Sequence, residues 1–99
     1  MEAHFTVSPD HPALPGHFPG NPVVPGVAIL DEIAHLWLTA HPGFRLSGVP
    51  AAKFLSVLRP GEPCRVRFDG TAEESVKFDC FSGDRRIAQG HLSFRPAAP

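Results

Sequence analysis

His17, Gly26 and Asp31 fall within the single stretch HFPGNPVVPGVAILDE, and their residue types suit proton transfer beside a polarised carbonyl. Histidine is the natural general base near neutral pH. Gly26 follows Pro25 at the expected start of a helix, where backbone N–H groups without helical partners and the positive end of the dipole can polarise a carbonyl oxygen. Asp31, one turn further in, projects from an otherwise apolar helix, so desolvation can hold it protonated, ready to donate to a leaving hydroxyl. A base, an oxyanion donor and an acid are the groups that β-elimination next to a thioester requires. Each also has a plainer reading: a histidine in a Pro-Gly loop is often exposed, a first-turn aspartate is favoured by the helix dipole, and a glycine eases entry to a helix.

The elements around these residues are legible. Six prolines between positions 9 and 25 exclude a helix or a central strand and make a stiff loop, which holds His17 at little further entropic cost. Residues 27–40, VAILDEIAHLWLTA, have helical length and end at the breaker His41-Pro42-Gly43. At 100° per residue, Asp31, Glu32, His35 and Thr39 share an arc of about 100° while Ile29, Leu30, Ile33, Leu36, Trp37 and Leu38 fill roughly 200° opposite. So wide an apolar arc implies a nearly buried helix with a narrow polar stripe, and buried carboxylates are costly without a task.

Beyond the helix the period drops to two, with Cys64, Val66 and Phe68 alternating with Arg65, Arg67 and Asp69, and Val76, Phe78 and Cys80 with Lys77 and Asp79. Turn signals at Pro60-Gly61, Gly70-Thr71 and Ser82-Gly83-Asp84 are spaced for antiparallel hairpins. Strands are expected at 3–7, 46–57, 64–69, 74–81 and 85–94, giving an α+β sheet wrapped around one helix. The domain is placed at residues 1–95, with a short Pro/Ala tail at 96–99.

Composition limits the partners. A chain of 99 residues builds one core, and its small size favours association with a second subunit. A net charge of −1 without an arginine run argues against nucleic acid. The apolar stretch at 23–40 is broken by Pro25, Asp31, Glu32 and His35, so no membrane span is expected, and no charged-then-apolar leader is recognisable. Cys64 and Cys80 lack CxxC spacing, and reduced thiols in the cytoplasm are the simplest reading. His4, His11, His41 and His91 are scattered, so no metal site is expected. Asp31 and His35, four apart, form an ordinary hydrogen-bonded pair more often than a metal site.

The stretch from His17 resembles the 3-hydroxyacyl-acyl carrier protein dehydratases of fatty-acid synthesis, especially the short ApeI-like dehydratases of aryl polyene pathways. In that family a histidine opens an HFPGxPxxPG loop and an acid follows fourteen positions later on the central helix, which here is Asp31. The similarity continues through Ala51-Ala52-Lys53-Phe54, the Arg59-Pro60-Gly61 turn and the last two strands. It implies the hotdog fold, a homodimer or a heterodimer with a related hotdog protein, and no cofactor. It further implies a substrate held on acyl carrier protein or coenzyme A. By that resemblance His17 takes the C2 proton, and Asp31 of the opposite subunit protonates the 3-hydroxyl. The Gly26 N–H holds the thioester oxygen, and the Val23 carbonyl orients the imidazole. Phe18 and His35 are counted with Gly26 and Val23 as substrate-binding positions.

Aspartate at the acid position is similar to the isomerising branch, although one shorter side chain does not establish isomerase activity. His35 replaces the usual glutamine and can bond to Asp31, which bears on the pH optimum. The sequence also begins after the helix and strand that precede the motif in longer enzymes, so a more open substrate mouth and dimer edge are expected. Glu32 is read as structural or partner-facing. Arg85-Arg86, Lys53 and Arg59 can receive an acidic carrier protein or be a solvated strand face, and Phe54, Phe68, Phe78 and Phe94 can line an acyl tunnel or be core. The leading expectation is a hydro-lyase converting a 3-hydroxyacyl thioester to the trans-2-enoyl thioester. Its rivals are a partner-dependent, non-catalytic hotdog subunit and a thioesterase that uses only the acid and a water.

Overall fold

The computed structural model describes residues 1–11, 23–71 and 75–97. Its elements are β1 (Glu2–Thr6), α1 (Gly26–Ala40), β2 (Phe44–Phe54), β3 (Pro63–Asp69), β4 (Val76–Ser82) and β5 (Arg85–Pro96). The strands form one sheet in the order β1-β3-β4-β5-β2, and every pairing is antiparallel. One early strand, one helix and four later strands were expected, and that is the arrangement found. His17, Phe18 and most of the proline-rich loop lie outside the described residues, as does Glu74.

The period-two pattern sorts β3 and β4 cleanly. Cys64, Val66, Phe68, Val76, Phe78 and Cys80 are buried, and their register places Val66 opposite Cys80 and Phe68 opposite Phe78. The helix adds Ala28, Ile29, Ile33, Ala34 and Trp37 to the same core cluster. Trp37 anchors the helix C-terminal half: its ring stacks 4.0 Å from Phe94 on one side and 4.0 Å from His41 on the other, and meets Phe44 edge-on at 5.7 Å. The two cysteines, distant in sequence, are both buried on the adjacent strands β3 and β4; the neighbouring Cys64 thiol and burial push the Cys80 thiol up.

Several expected boundaries shift for identifiable reasons. β2 stops at Phe54 rather than 57, because Leu55 and Ser56 both turn their N–H groups to the Ile87 carbonyl, at 2.8 and 3.4 Å, and end the regular ladder. β5 runs on to Pro96, which pairs with Phe44, and the Ala97 N–H donates to Gly43 O at 2.8 Å, so the ladder reaches into the expected tail. Close packing of β2 on β5 fixes Gly90, where a Cβ would run into the Ala51 carbonyl oxygen.

The expectation of a nearly buried helix is corrected. Val27 is 68% exposed; Asp31, His35 and Thr39 are exposed too, and Leu30, Leu36 and Leu38 are only half-buried. The physical reason is that the sheet of one chain covers one side of α1. The β2 side chains, which would have to cover the rest, are almost all exposed or half-buried themselves.

The connection between β2 and β3 is clamped from both ends. Glu62 accepts the Arg59 N–H at 2.7 Å and pairs with Arg85, whose other nitrogen donates to Val57 O at 3.0 Å. Gly61 N–H donates to Val7 O at 2.8 Å. The Arg59 N–H bond, with the Arg85 guanidinium beside it, holds the Glu62 carboxyl below its ordinary range. A carboxyl whose folded pKa is depressed contributes stability above its unfolded pKa, and that contribution is lost as the pH falls through the folded value. Urea unfolding at pH 7 and pH 3 should therefore show Glu62→Gln destabilised by about 0.5–1 kcal/mol at pH 7, with the gap from wild type closing at pH 3.

Candidate active site

The start of α1 is positioned by main-chain bonds, since Pro25 at the N-cap supplies no side-chain cap. Pro25 is extended (φ −61°, ψ 146°), and its carbonyl accepts from the Ala28 and Ile29 N–H groups at 3.0 and 3.2 Å. Just before it, the buried Val24 donates its N–H to Leu58 O at 2.7 Å, tying the helix entry to the clamped connection between β2 and β3. Gly26, as the first residue of the helix, has an amide with no carbonyl partner inside it, directed out along the positive end of the dipole. The Gly26 amide is thus held in place by the main-chain bonds on either side of it.

Val27, Asp31 and His35 follow at four-residue intervals and share the side of the helix that the sheet leaves open. Asp31 and His35 line, with Glu32, Ala34, Leu38 and Leu46, a shallow hollow of about 500 Å³. The apolar surroundings expected to desolvate Asp31 are not supplied by one chain, in which the residue is exposed. Nor does His35 bond to Asp31: among the described residues no hydrogen bond joins them, and at His35 the backbone oxygen accepts from Thr39 Oγ1 at 2.8 Å. Both side chains face the same open hollow, where a common ligand or a second subunit can reach them. Glu32 is turned aside toward His11, with Nε2 to Oε1 at 3.8 Å, in keeping with its structural reading. Val23 is half-buried directly before the helix entry. The positions of His17 and Phe18 relative to these groups lie outside the described residues.

Two further residues neighbour the site, of which Leu46 was not singled out by the sequence and Phe54 was named only as tunnel or core. Leu46, on β2, sits in the hollow beside Asp31 and His35, and it is 37% exposed. Phe54 closes against Gly26 from the end of β2, whereas Phe68, Phe78 and Phe94, grouped with it as tunnel or core, are all core. The sequence grouped Phe54 with the other strand phenylalanines but carried no signal that it alone would sit beside the helix start. The basic residues separate as well. Arg85 is committed to Glu62, and Arg86 lies against the Phe81 ring and Asp79. Lys53 lines a hollow on the opposite face of the sheet with Lys77 and His91.

Comparison with known proteins agrees with this architecture. Residues 1–91 match the family described as ApeI-like, ApeI dehydratase. The chain is similar to the dehydratase heterocomplex ApeI:P from Xenorhabdus doucetiae, with a TM-score of 0.81 and 26% identity over 94% of this chain and 84% of that one. It is 41% identical over 68 residues to the 3-hydroxyacyl-acyl carrier protein dehydratase FabZ of Chloroflexus aggregans, covering 61% of this chain and 47% of that protein. With the FabZ of Klebsiella pneumoniae it shares 35% identity over 89 residues, 90% of this chain and 51% of that one. The chain spans about half the length of these curated relatives. A thioesterase, the fluoroacetyl-CoA-specific FlK, shares the hotdog fold at a TM-score of 0.70 but only 16% identity. With its five-stranded hotdog sheet, the helix α1 packed on it and a match across residues 1–91, this chain belongs to the ApeI-like dehydratase family.

Proposed function

We propose that the protein dehydrates a 3-hydroxyacyl thioester, carried on acyl carrier protein or coenzyme A, to the trans-2-enoyl thioester. The observation that carries this reading is the coincidence of the HFPGNPVVPG loop, the amide of Gly26 at a helix start, and Asp31 facing an open hollow on that helix. His17 removes the C2 proton while the Gly26 N–H holds the thioester oxygen as negative charge develops on it. Asp31 passes a proton to the 3-hydroxyl, which leaves as water as the C2–C3 double bond forms. The Val23 carbonyl orients the imidazole, and Phe18 and His35 border the substrate. No step calls for a metal or a redox cofactor. The reading carries with it the cytoplasmic location expected from reduced cysteines.

A second subunit completes the site. Asp31 is exposed, and β2 is an edge strand of 11 residues carrying the exposed Leu46, Val49 and Phe54. An unpaired edge with apolar side chains is a template for pairing with another chain. Pairing there brings a second body over the open side of α1, and in the dehydratase arrangement that body supplies the opposing half of the site. A partner-dependent subunit remains the second reading, favoured by the heterocomplex named for the ApeI:P structure. On that reading the isolated chain is inactive and gains activity when mixed with a related hotdog protein.

Mass spectrometry of 3-hydroxyacyl carrier thioesters incubated with the purified protein tests the reaction. Wild type should shift product mass by one water. His17→Ala and Asp31→Asn should each lower the rate by about 10²-fold or more. Asp31→Asn removes no packing contact within its chain and should cost far less unfolding free energy than Ile33→Ala on the buried side, which should cost about 2–5 kcal/mol. An inactive wild type confirmed as a dimer would move the assignment to the partner-dependent subunit. For the interface, Val49→Lys should leave the monomer folded and shift sedimentation from dimer to monomer; an unchanged dimer would place the interface elsewhere.

A further inference from the structure

The Phe54 ring and the Gly26 backbone make a contact that the motif alone does not explain. Gly26 is not among the positive-φ glycines, which among the described residues are Gly43, Gly61, Gly70 and Gly83, so its backbone conformation does not demand glycine. What a side chain there would meet is the Phe54 ring. A Cβ at residue 26 would lie 2.8 Å from Phe54 Cζ, 3.0 Å from Cε2 and 3.2 Å from Cε1, so the tip of the ring occupies the place of the missing side chain. Phe54 reaches this position from the last residue of β2, and the chain on either side is held. The Leu55 N–H donates to Ile87 O at 2.8 Å, and Leu58 O accepts the Val24 N–H at 2.7 Å. The ring nevertheless stays 46% exposed, so one side packs on the helix entry and the other faces outward.

We propose that Phe54 is a positioning residue: its ring forms the wall against which the thioester rests when its oxygen accepts the Gly26 N–H. This rests on the dehydratase reading. The amide nitrogen and the absent Cβ share one Cα, so the ring tip stands beside any carbonyl bound to that amide and limits how far the carbonyl can tilt. Glycine and phenylalanine form one unit here, the first providing room and the second filling it. A small displacement of a reacting carbonyl is costly because near-attack geometry is lost.

The test is a double-mutant cycle over Gly26→Ala and Phe54→Ala, with Phe54→Leu as a milder variant, read by thermal unfolding and by steady-state dehydration kinetics. Gly26→Ala should lower Tm in the wild-type background, where Ala meets the ring. It should raise Tm in the Phe54→Ala background, where the better helix former meets none. In the kinetics, Phe54→Ala should lower kcat about tenfold with KM little changed, and Phe54→Leu should recover part of that loss. A Gly26→Ala effect of the same sign and size in both backgrounds would overturn the steric pairing. An active wild type whose kcat is untouched by Phe54→Ala would overturn the positioning role alone. A wild type that releases no water would instead sink the dehydratase reading on which it rests.

Discussion

A helix of 15 residues packed on a five-stranded sheet can bury only the stripe that faces the sheet, and here that stripe is Ala28, Ile29, Ile33, Ala34 and Trp37. The Trp37 ring, stacked between Phe94 and His41, fixes the rotation of the helix about its axis. With the rotation set, Val27, Asp31 and His35 must point away from the sheet. The carboxyl proposed as the acid is therefore placed by the packing of residues to which the proposed chemistry gives no part. The same geometry leaves apolar surface on β2 exposed, so the burial missing from one chain and the proposed need for a second subunit have one cause.

The entry to the helix is fixed by a second set of constraints. Pro25 cannot donate a backbone hydrogen bond, and its carbonyl is occupied by the first turn, so the exit of the loop is held by Val24 on Leu58 O. Leu58 in turn belongs to the connection that Glu62 and Arg85 clamp. The Gly26 amide, the Phe54 ring and the Asp31 carboxyl thus hang on two packed elements and a short chain of main-chain and ionic bonds. That rigidity is what an oxyanion donor needs, because a donor that must reorganise during reaction gives up most of its advantage.

Much of the fold could be read from local patterns. Alternation in β3 and β4 gave their inward faces residue by residue, and the 3.6-residue period with the His41-Pro42-Gly43 stop gave the helix to within one residue. What local pattern could not give was the order of the strands. Pro50 within residues 44–57 disfavours a central position, but only the sheet order shows that β2 has one neighbour among the described strands. The wide apolar arc of α1 suffered the same ambiguity: Val27, Leu30 and Leu38 are as apolar as core residues, yet one chain leaves them open or half-open. Residue types and spacing marked His17, Gly26 and Asp31 as a candidate site, but not the Phe54 contact, which depends on β2 ending beside the helix start.

If the base and the acid of each site come from different chains, two inactive variants must complement one another. Mixing His17→Ala and Asp31→Asn protein, with unfolding and refolding to exchange subunits, gives mixed dimers in which one site carries both substitutions and the other carries neither. The account predicts recovery of about one quarter of wild-type dehydration at random exchange, since half the dimers are mixed and each has one intact site. No recovery, with exchange confirmed by mass spectrometry and an active wild type, would contradict a site shared between two chains.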